Sequence, residues 1–218
     1  MGEEESRGRD TRERLLDAAG EIFAQRGFRA ATVREISRRA GANVAAVNYY
    51  FGDKERLYAA VLKYTFSKAV EKYPPTLGLE NSSSPVERLK AFIRSFLFRI
   101  LDEGRPAWHG QLMMQEVAQP TAALDQLVDE AIRPLSNRLM GIVRDLLGAD
   151  SNDEKVRLCT MSIIGQCVYF GHARSVITRL FSQTFGPVEI EHLADHVTCF
   201  SFAAMKGISS TGNPVSMG

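Results

Sequence analysis

Apolar residues along this chain recur at spacings of three and four, the pattern of amphipathic helices, and no segment shows the alternation typical of a strand. The first such pattern predicts a helix over Thr11–Arg26, with Leu15, Ile22 and Phe23 on its buried face. Gly27 is expected to end this helix, because glycine readily adopts the left-handed backbone of a helix end. The chain as a whole is therefore predicted to be all-α.

The stretch Thr32–Lys54 predicts two short helices that are joined by a glycine turn. Thr32 and Glu35 have the spacing of a capping box, in which the hydroxyl and the carboxylate each bind a backbone N–H at the helix start. Gly41 is expected to end the first helix, and the small side chains of residues 43–46 open the second. Such a pair is typical of a helix-turn-helix, whose second helix enters the DNA major groove.

Capping residues and prolines predict further helices along the chain. Asp53 is predicted to cap a helix that Pro74 ends, and Ser84 and Glu87 have the spacing of a second capping box. Pro134 either kinks one long helix or separates two abutting ones. The predicted helices beyond the helix-turn-helix span residues 54–73, 84–103, 107–119, 121–147, 153–174 and 188–207, and residues 175–187 have room for a further helical turn.

The last two predicted helices, 153–174 and 188–207, are apolar on more than one face. A helix that is apolar nearly all round is buried on two sides. Because a domain of this size covers only one of those sides, we expect a second copy of the chain to cover the other. Two helices from each copy would form a four-helix interface across a two-fold axis, so the pattern predicts a homodimer through the last two helices.

Positive charge is concentrated around the predicted helix-turn-helix. Between Arg26 and Arg56 the sequence has seven basic and three acidic side chains, whereas the whole chain carries a net charge of only +1. A general polyanion binder would be basic throughout, so the pattern favours a local contact with DNA phosphates. A helical adaptor whose arginines are merely solvated is the alternative, but it would need neither the slim front of the second helix nor the local charge.

Other classes of protein are disfavoured by what the sequence lacks. No apolar run is long enough to span a bilayer, and the acidic first residues are unlike a signal peptide, so we expect a cytoplasmic protein with no membrane partner. The sequence also lacks G-x-S-x-G, a phosphate-binding loop, Rossmann glycines and H-E-x-x-H. A helical enzyme is therefore the less favoured alternative, and no cofactor is predicted.

Cysteine and histidine positions offer one possible metal site. The three cysteines, Cys159, Cys167 and Cys199, lie in apolar helical stretches without CxxC spacing and are expected to be buried, reduced thiols. His192, His196 and Cys199 share one helical face, which would suit a metal ion. Isolated His and Cys on a helix are mostly packing residues, so an interface stripe is the favoured interpretation and no metal is predicted.

The segment Ala18–Leu62 carries the motif AGxxFAxxGFxxxTVxxIxxxAG, followed by NYYFGDKExLYxAV. In these residues the chain resembles the DNA-binding domain of TetR-family transcriptional regulators, with an AcrR-like helix-turn-helix. The resemblance implies an N-terminal three-helix DNA-binding domain and a C-terminal helical domain for ligand binding and dimerisation. It further implies a homodimeric repressor that a small-molecule effector releases from an inverted-repeat operator in double-stranded DNA.

The resemblance and the helix signals together predict the domain boundaries. The linker helix would be shared between the two domains. A rotation at its C-terminal end would therefore move the second helix of the helix-turn-helix, which is the helix expected to read the DNA. The predicted parts are a disordered arm over 1–9, the helix-turn-helix domain over 10–53, the linker helix over 54–73, the effector-binding and dimerisation domain over 74–207, and a disordered tail over 208–218.

DNA contacts are expected from the front of the second helix and from the helix ends beside it. Alanine methyls can contact thymine, and an asparagine can bond adenine through two atoms. The resemblance implies phosphate contacts by a tyrosine and a lysine, and a helix N-terminus can bind a further phosphate. The candidates for base reading are Asn43, Ala45, Ala46 and Asn48. The candidates for phosphate binding are Thr32, Arg34, Tyr49 and Lys54.

The resemblance also implies that the C-terminal helices enclose the effector. An aromatic and methionine-rich set with a few polar side chains is typical of a small-molecule pocket. The same residue types are common in ordinary cores, and that alternative stays open. The candidate pocket residues are Phe96, Trp108, His109, Met113, Met114, Glu116 and Tyr169.

Overall fold

The computed structural model describes residues 2–79, 83–102, 106–148 and 151–210. Over these residues all regular structure is helical, which confirms the predicted fold class. The helices are α1 (Gly2–Ala30), α2 (Val33–Arg39), α3 (Val44–Phe51), α4 (Lys54–Lys72), α5 (Pro85–Leu101), α6 (Ala107–Ala118), α7 (Ala123–Leu127), α8 (Arg133–Leu147), α9 (Asp153–His172), α10 (Arg174–Phe181) and α11 (Pro187–Ser210).

The helices form two compact units. The first unit contains α1, α2, α3, α6, α7 and the part of α4 that ends at Lys68. The second unit contains the rest of α4, α5 and α8 to α11. This division differs from the predicted domain over 74–207, because α6 and α7 belong to the same unit as the helix-turn-helix.

In the first unit, α6 packs along α1. The indole of Trp108 lies against Gly20, where no Cβ keeps the two helices apart. The side-chain amides of Gln111 and Gln115 both donate to the carbonyl oxygen of Ala24, each at 2.8 Å, across 87 and 91 positions of sequence. Helical periodicity reports the buried face of one helix but not its partner, so the sequence could not pair α6 with α1.

The first helix begins at Gly2, so the predicted disordered arm over 1–9 is wrong for the residues that the structure describes. Residues 2–9 contain no large apolar side chain, which is why periodicity assigned them to an arm. Glutamate and arginine nevertheless have high helix propensity, and acidic residues at a helix N-terminus are favoured by the helix dipole. Local propensity thus favours a helix where hydrophobic periodicity gives no signal.

The other end of α1 is broken at Gly27, as predicted. Gly27 has a φ of 76°, a left-handed value that favours glycine, and one more turn follows it. Phe28, directly after the break, packs with Phe23 and Tyr58, whose ring centroids lie 6.1 and 4.9 Å from its own. Tyr58 lies on α4, so this aromatic cluster joins the start of α4 to the end of α1.

A π-helical segment, Val128–Ile132, joins α7 to α8 in place of a simple kink at Pro134. Proline has no N–H, and its ring displaces the carbonyl four residues earlier, here that of Glu130. The wider π-helical turn relieves this conflict. One of the points at which the chain passes from the first unit to the second lies at the end of this segment, between Ile132 and Arg133.

The second unit is arranged around α5, which contacts α8, α9 and α11. Ser84 and Glu87 form the predicted capping box: the Ser84 hydroxyl accepts from the Glu87 N–H at 3.3 Å, and the Ser84 N–H donates to the Glu87 carboxylate at 2.6 Å. Leu89, Ile93 and Leu97 are fully buried along one side of α5. This helix is therefore the centre of the second core.

The C-terminal helices extend further than the sequence predicted. α10 forms where only a helical turn was expected, and α11 continues to Ser210, past the predicted end at Gly207. The predicted tail over 208–218 is thus helical in its first residues, and 211–218 lie outside the described residues.

The contact between α1 and α6 can be tested by adding one methyl group. Gly20→Ala is expected to lower the free energy of unfolding of the first unit by about 1 to 3 kcal/mol. The added Cβ would lie 2.1 Å from Cζ3 of Trp108, so the indole must leave its contact with α1. Urea unfolding followed by the fluorescence of Trp108, the only tryptophan of the chain, measures this change.

Gly110→Ala is the matched control, because Gly110 lies within α6 and a Cβ there meets no atom within 4 Å. Alanine has the higher helix propensity, so this variant should be more stable by up to about 1 kcal/mol. An unchanged unfolding midpoint for Gly20→Ala would contradict the close packing of α6 on α1.

Candidate nucleic-acid interface

The start of α2 is fixed by Thr32. Its hydroxyl accepts a hydrogen bond from the N–H of Glu35 at 3.3 Å, which is one half of the predicted capping box. The Glu35 carboxylate instead pairs with the guanidinium of Arg26 at 2.9 Å. This ion pair ties α2 to the end of α1.

The turn between α2 and α3 is held by backbone hydrogen bonds. Gly41 has a φ of 60°, in the left-handed region, and its N–H donates to the carbonyl of Arg38 at 3.3 Å. The N–H of Ala42 donates to the carbonyl of Ser37 at 2.9 Å. This pair of bonds is a Schellman motif, so the predicted glycine end of α2 is confirmed and the entry into α3 is fixed by the backbone.

Asn43 caps α3. Its side-chain oxygen accepts a hydrogen bond from the N–H of Ala45 at 3.1 Å. Val47 and Phe51 are buried one turn apart and anchor the helix to the core of the first unit. The buried side determines the opposite face of α3, on which Ala45, Asn48 and Tyr49 are exposed.

The structure separates the four candidates for base reading. Ala45 and Asn48 are exposed on the outward face of α3, where the prediction requires them. Ala46 packs partly against the core, and the side-chain oxygen of Asn43 is occupied by the cap. Val44, which the sequence reasoning did not select, is 40% exposed on the first turn of α3. The sequence signal that could have identified Val44 as a base-reading candidate is an apolar β-branched residue directly after a helix cap.

The phosphate candidates lie around the same helix pair but differ in their surroundings. Tyr49 is 83% exposed, with its ring 4.9 Å from that of Tyr50. Thr32 and Arg34 are exposed at the start of α2. Lys54, in contrast, is partly buried, and its ammonium group lies among backbone carbonyls at the end of α1.

The arginines of α2 fall into two groups. Arg39 forms an ion pair with Glu21 on α1. Arg34 and Arg38 are exposed and make no ion pair among the residues that the structure describes. Positive charge that is not internally compensated is therefore presented beside α3, where a phosphate backbone would pass.

The candidates for the effector pocket are divided between the two units. Trp108, His109, Met113, Met114 and Glu116 lie on α6 in the first unit. Phe96 and Tyr169 lie in the second unit, on α5 and α9. A cavity of about 10 Å³ in the first unit has room for about one water molecule and is lined by none of these residues. Their role in effector binding stays a prediction.

Glu116 is the most enclosed of these candidates. Its carboxylate accepts hydrogen bonds from the hydroxyl of Tyr58 at 2.8 Å and from the N–H and hydroxyl of Thr121 at 2.8 and 3.0 Å. Burial raises the pKa of the Tyr58 hydroxyl, and the bond to Glu116 raises it further. These contacts join the end of α6 to α4 within the first unit.

Two of the three cysteines are buried as predicted. Burial raises the pKa of the Cys159 thiol, and it raises the pKa of Cys167 to about 12, so both thiols stay protonated at neutral pH. Cys199 is exposed, which corrects the prediction for that residue. His192 and His196 are exposed on the same helix, and within the described ranges no group of three or more His, Cys, Asp or Glu side chains is placed to hold a metal ion.

Two family models match the chain. Residues 15–61 match "Bacterial regulatory proteins, tetR family", and residues 85–208 match the C-terminal domain of the HTH-type transcriptional dual regulator CecR. The second match covers more than half of the chain. Among the described residues no helix is both long and apolar enough to cross a bilayer.

The chain is similar over most of its length to other bacterial transcriptional regulators. It is 28% identical to the HTH-type transcriptional dual regulator CecR of Shigella flexneri, over 93% of this chain and 95% of that protein. It is 25% identical to the HTH-type transcriptional repressor NicS of Pseudomonas putida, over 91% and 92% of the two chains.

Solved structures share the fold. A TetR-like transcriptional regulator from Rhodococcus sp. RHA1 superposes with a TM-score of 0.63 at 20% identity, over 90% of this chain and 96% of the other. The fatty acid degradation regulator FadR from Bacillus halodurans has a TM-score of 0.63 at 16% identity, over 87% and 97% of the two chains.

Proposed function

The chain belongs to the TetR family of bacterial regulatory proteins, with a C-terminal domain of the CecR type, and we propose that it is a homodimeric repressor which a small molecule releases from a palindromic operator. It is a DNA-binding transcriptional regulator and not an enzyme, like its relatives. The repressor assignment is supported by NicS, whose name describes a repressor, whereas CecR is named a dual regulator. A DNA target implies action in the cytoplasm.

The observation that carries the proposal is the outward face of α3. Ala45 and Asn48 lie exposed on it, between a capped start and the exposed Tyr49. Small side chains at the front let the backbone of the helix approach the floor of a major groove. In this proposal the Asn48 amide reads adenine, and the methyl groups of Ala45 and Val44 contact thymine.

Phosphate contacts would hold this helix in register. Thr32 and Arg34 lie at the N-terminus of α2, where free backbone N–H groups and the helix dipole favour an anion. The exposed hydroxyl of Tyr49, near the other end of α3, would bind a second phosphate. Such contacts orient the protein and supply affinity, but they carry no sequence information.

The proposed homodimer is supported by apolar side chains that the second unit leaves exposed. Met161 and Tyr169 on α9 are each 57% exposed, and Leu158 and Phe200 lie similarly uncovered on α9 and α11. Gly165, between Met161 and Tyr169 on α9, has no atom within 4 Å of its Cβ position. A helix from a second copy could therefore approach α9 closely at this point.

The proposed effector would act by favouring one dimer geometry over another, because a ligand that binds both geometries equally shifts nothing. The geometry at stake is the separation of the two reading helices, which must match half-sites about 34 to 36 Å apart. Its support is the aromatic and methionine-rich composition of the candidate residues, five of which lie together on α6.

Selection from a random-sequence duplex library tests the proposed function. The purified full chain is expected to enrich an inverted repeat whose half-site centres lie one helical turn apart, or a small multiple of it, at about 34 to 36 Å per turn. Affinity for the enriched sequence should fall steeply with salt, as phosphate contacts require. Failure to enrich any sequence at low ionic strength would reject DNA reading by α3 and favour a protein-binding adaptor.

Two substitutions on α3 separate base reading from phosphate binding. Asn48→Ala is expected to cost about 1 to 3 kcal/mol on the enriched sequence and to relax the preference at one base position. Tyr49→Phe removes only a hydroxyl and should weaken binding to enriched and random duplexes alike. Fluorescence anisotropy at one fixed salt concentration measures both. An equal loss on both duplexes for Asn48→Ala would remove its reading role.

A charge on α9 tests the dimer. Met161→Glu should leave the fold intact, because the side chain is 57% exposed, but it should convert the dimer to a monomer by burying an unpaired carboxylate between subunits. Val117→Glu on α6, where valine is 58% exposed, is the matched control and should stay dimeric. Light scattering after size exclusion gives both masses. A dimeric Met161→Glu, or a monomeric Val117→Glu, would place the interface elsewhere.

A further inference from the structure

Arg12 lies where the packed side of α1 meets the end of α3. The buried stripe of α1 begins one turn later with Leu15 and Leu16, which are fully buried, whereas Arg12 is exposed. Its guanidinium lies over the ring of Phe51, 5.4 Å from the ring centroid. This distance is within the range of a cation–π interaction, so the arginine is held at a defined position on the last residue of α3.

The contact with Phe51 leaves the hydrogen-bonding capacity of Arg12 unused. A guanidinium has five N–H donors, and a cation–π contact depends on its charge and not on these donors. Among the residues that the structure describes, none forms an ion pair with Arg12 or accepts a hydrogen bond from it. Asp10, two positions earlier, is instead paired with Arg14 at 3.4 Å. The donors of Arg12 are therefore available to an anion.

A phosphate that approaches the end of α3 needs a cation there. Carbonyl groups at the C-terminal end of a helix carry partial negative charge, which repels an anion. The last turn of α3 contains no basic residue of its own. Arg12 supplies a positive charge from α1 at this point, and the same last turn carries the exposed Tyr49.

A run of aromatic rings connects Arg12 to Tyr49. The ring centroid of Phe51 lies 6.3 Å from that of Tyr50, and the ring centroid of Tyr50 lies 4.9 Å from that of Tyr49. Phe51 is buried and Tyr49 is exposed, so the run passes from the core of the first unit to its surface. The guanidinium of Arg12 and the hydroxyl of Tyr49 thus belong to the same end of α3.

We propose that Arg12 is a phosphate-binding residue, whose guanidinium binds the DNA backbone beside the end of α3. The inference rests on the proposed DNA-binding function, and it adds a contact from α1 to those proposed for α2 and α3. A guanidinium can donate two parallel N–H bonds to the oxygens of one phosphate. Because a phosphate carries no sequence information, Arg12 contributes affinity and orientation but no base preference.

The salt dependence of DNA binding tests this assignment. The probe is a random-sequence duplex of about 40 base pairs, roughly four helical turns. Arg12→Met keeps an apolar stem over Phe51 but removes the charge, so the slope of log K against log salt should become shallower by about 0.9 per protomer. Arg12→Lys keeps one positive charge and should keep the wild-type slope, with a lower affinity because an ammonium cannot bind a phosphate through a planar fork.

Arg14→Met is the matched control. Arg14 is exposed on the same helix, but it lies on the opposite side, since positions two apart are about 200° apart around a helix. The variant removes the same charge and should keep the wild-type slope. All slopes are measured below the melting temperature of each variant, which the fluorescence of Trp108 in the same unit reports. A change in stability therefore cannot imitate a lost phosphate contact.

Either of two results would overturn the proposal. One is an Arg12→Met slope equal to that of the wild type, which would leave Arg12 only its contact with Phe51. The other is an equally shallow slope for Arg14→Met, which would indicate a general effect of net charge. A failure of the proposed function is distinguishable from both, because the wild-type protein would then bind no duplex at any salt concentration.

Discussion

The burial of Val47 and Phe51 is the constraint on which the proposed DNA-reading surface depends. An isolated helix of eight residues is unstable in water, so α3 exists because these two side chains are packed into the first unit. Two buried positions one turn apart also fix the rotation of the helix about its axis. The exposure of Asn48 and Tyr49 is therefore a consequence of packing on the opposite side, and any loss of that packing would turn the reading face as well as destabilise the fold.

Ion pairs with glutamates neutralise part of the positive charge around α2 and α3. Glu35 pairs with Arg26 and Glu21 pairs with Arg39, and each of these ion pairs joins α1 to α2. Cations that make no ion pair among the described residues, such as Arg34, are exposed on α2. A nearly neutral chain can thus present a local positive surface, which favours association at one site over general attraction to polyanions.

The sequence predicted those features whose determinants lie within a few residues. The cap at Thr32, the left-handed Gly41 and the Ser84–Glu87 box were read correctly because each depends on neighbours within one helical turn. The pairing of α6 with α1 was missed, because it depends on Trp108 meeting a residue without a Cβ far away in the chain. The internal position of Lys54 was missed for the same reason: lysine at a helix start reads as a surface cation unless the carbonyls at Phe28 and Ala31 are known to face it.

The chemistry of the proposed reading face favours the proposed second subunit. α3 offers methyl groups and a single exposed amide, and one bidentate base contact discriminates by only about 1 to 3 kcal/mol. A single copy with so few readers would separate its operator poorly from the rest of a genome. Joining two copies makes the second half-site an intramolecular target and multiplies the discrimination of each. The exposed apolar side chains of α9 and α11 and the sparse reading face of α3 therefore point to the same assembly, although they lie in different units of the chain.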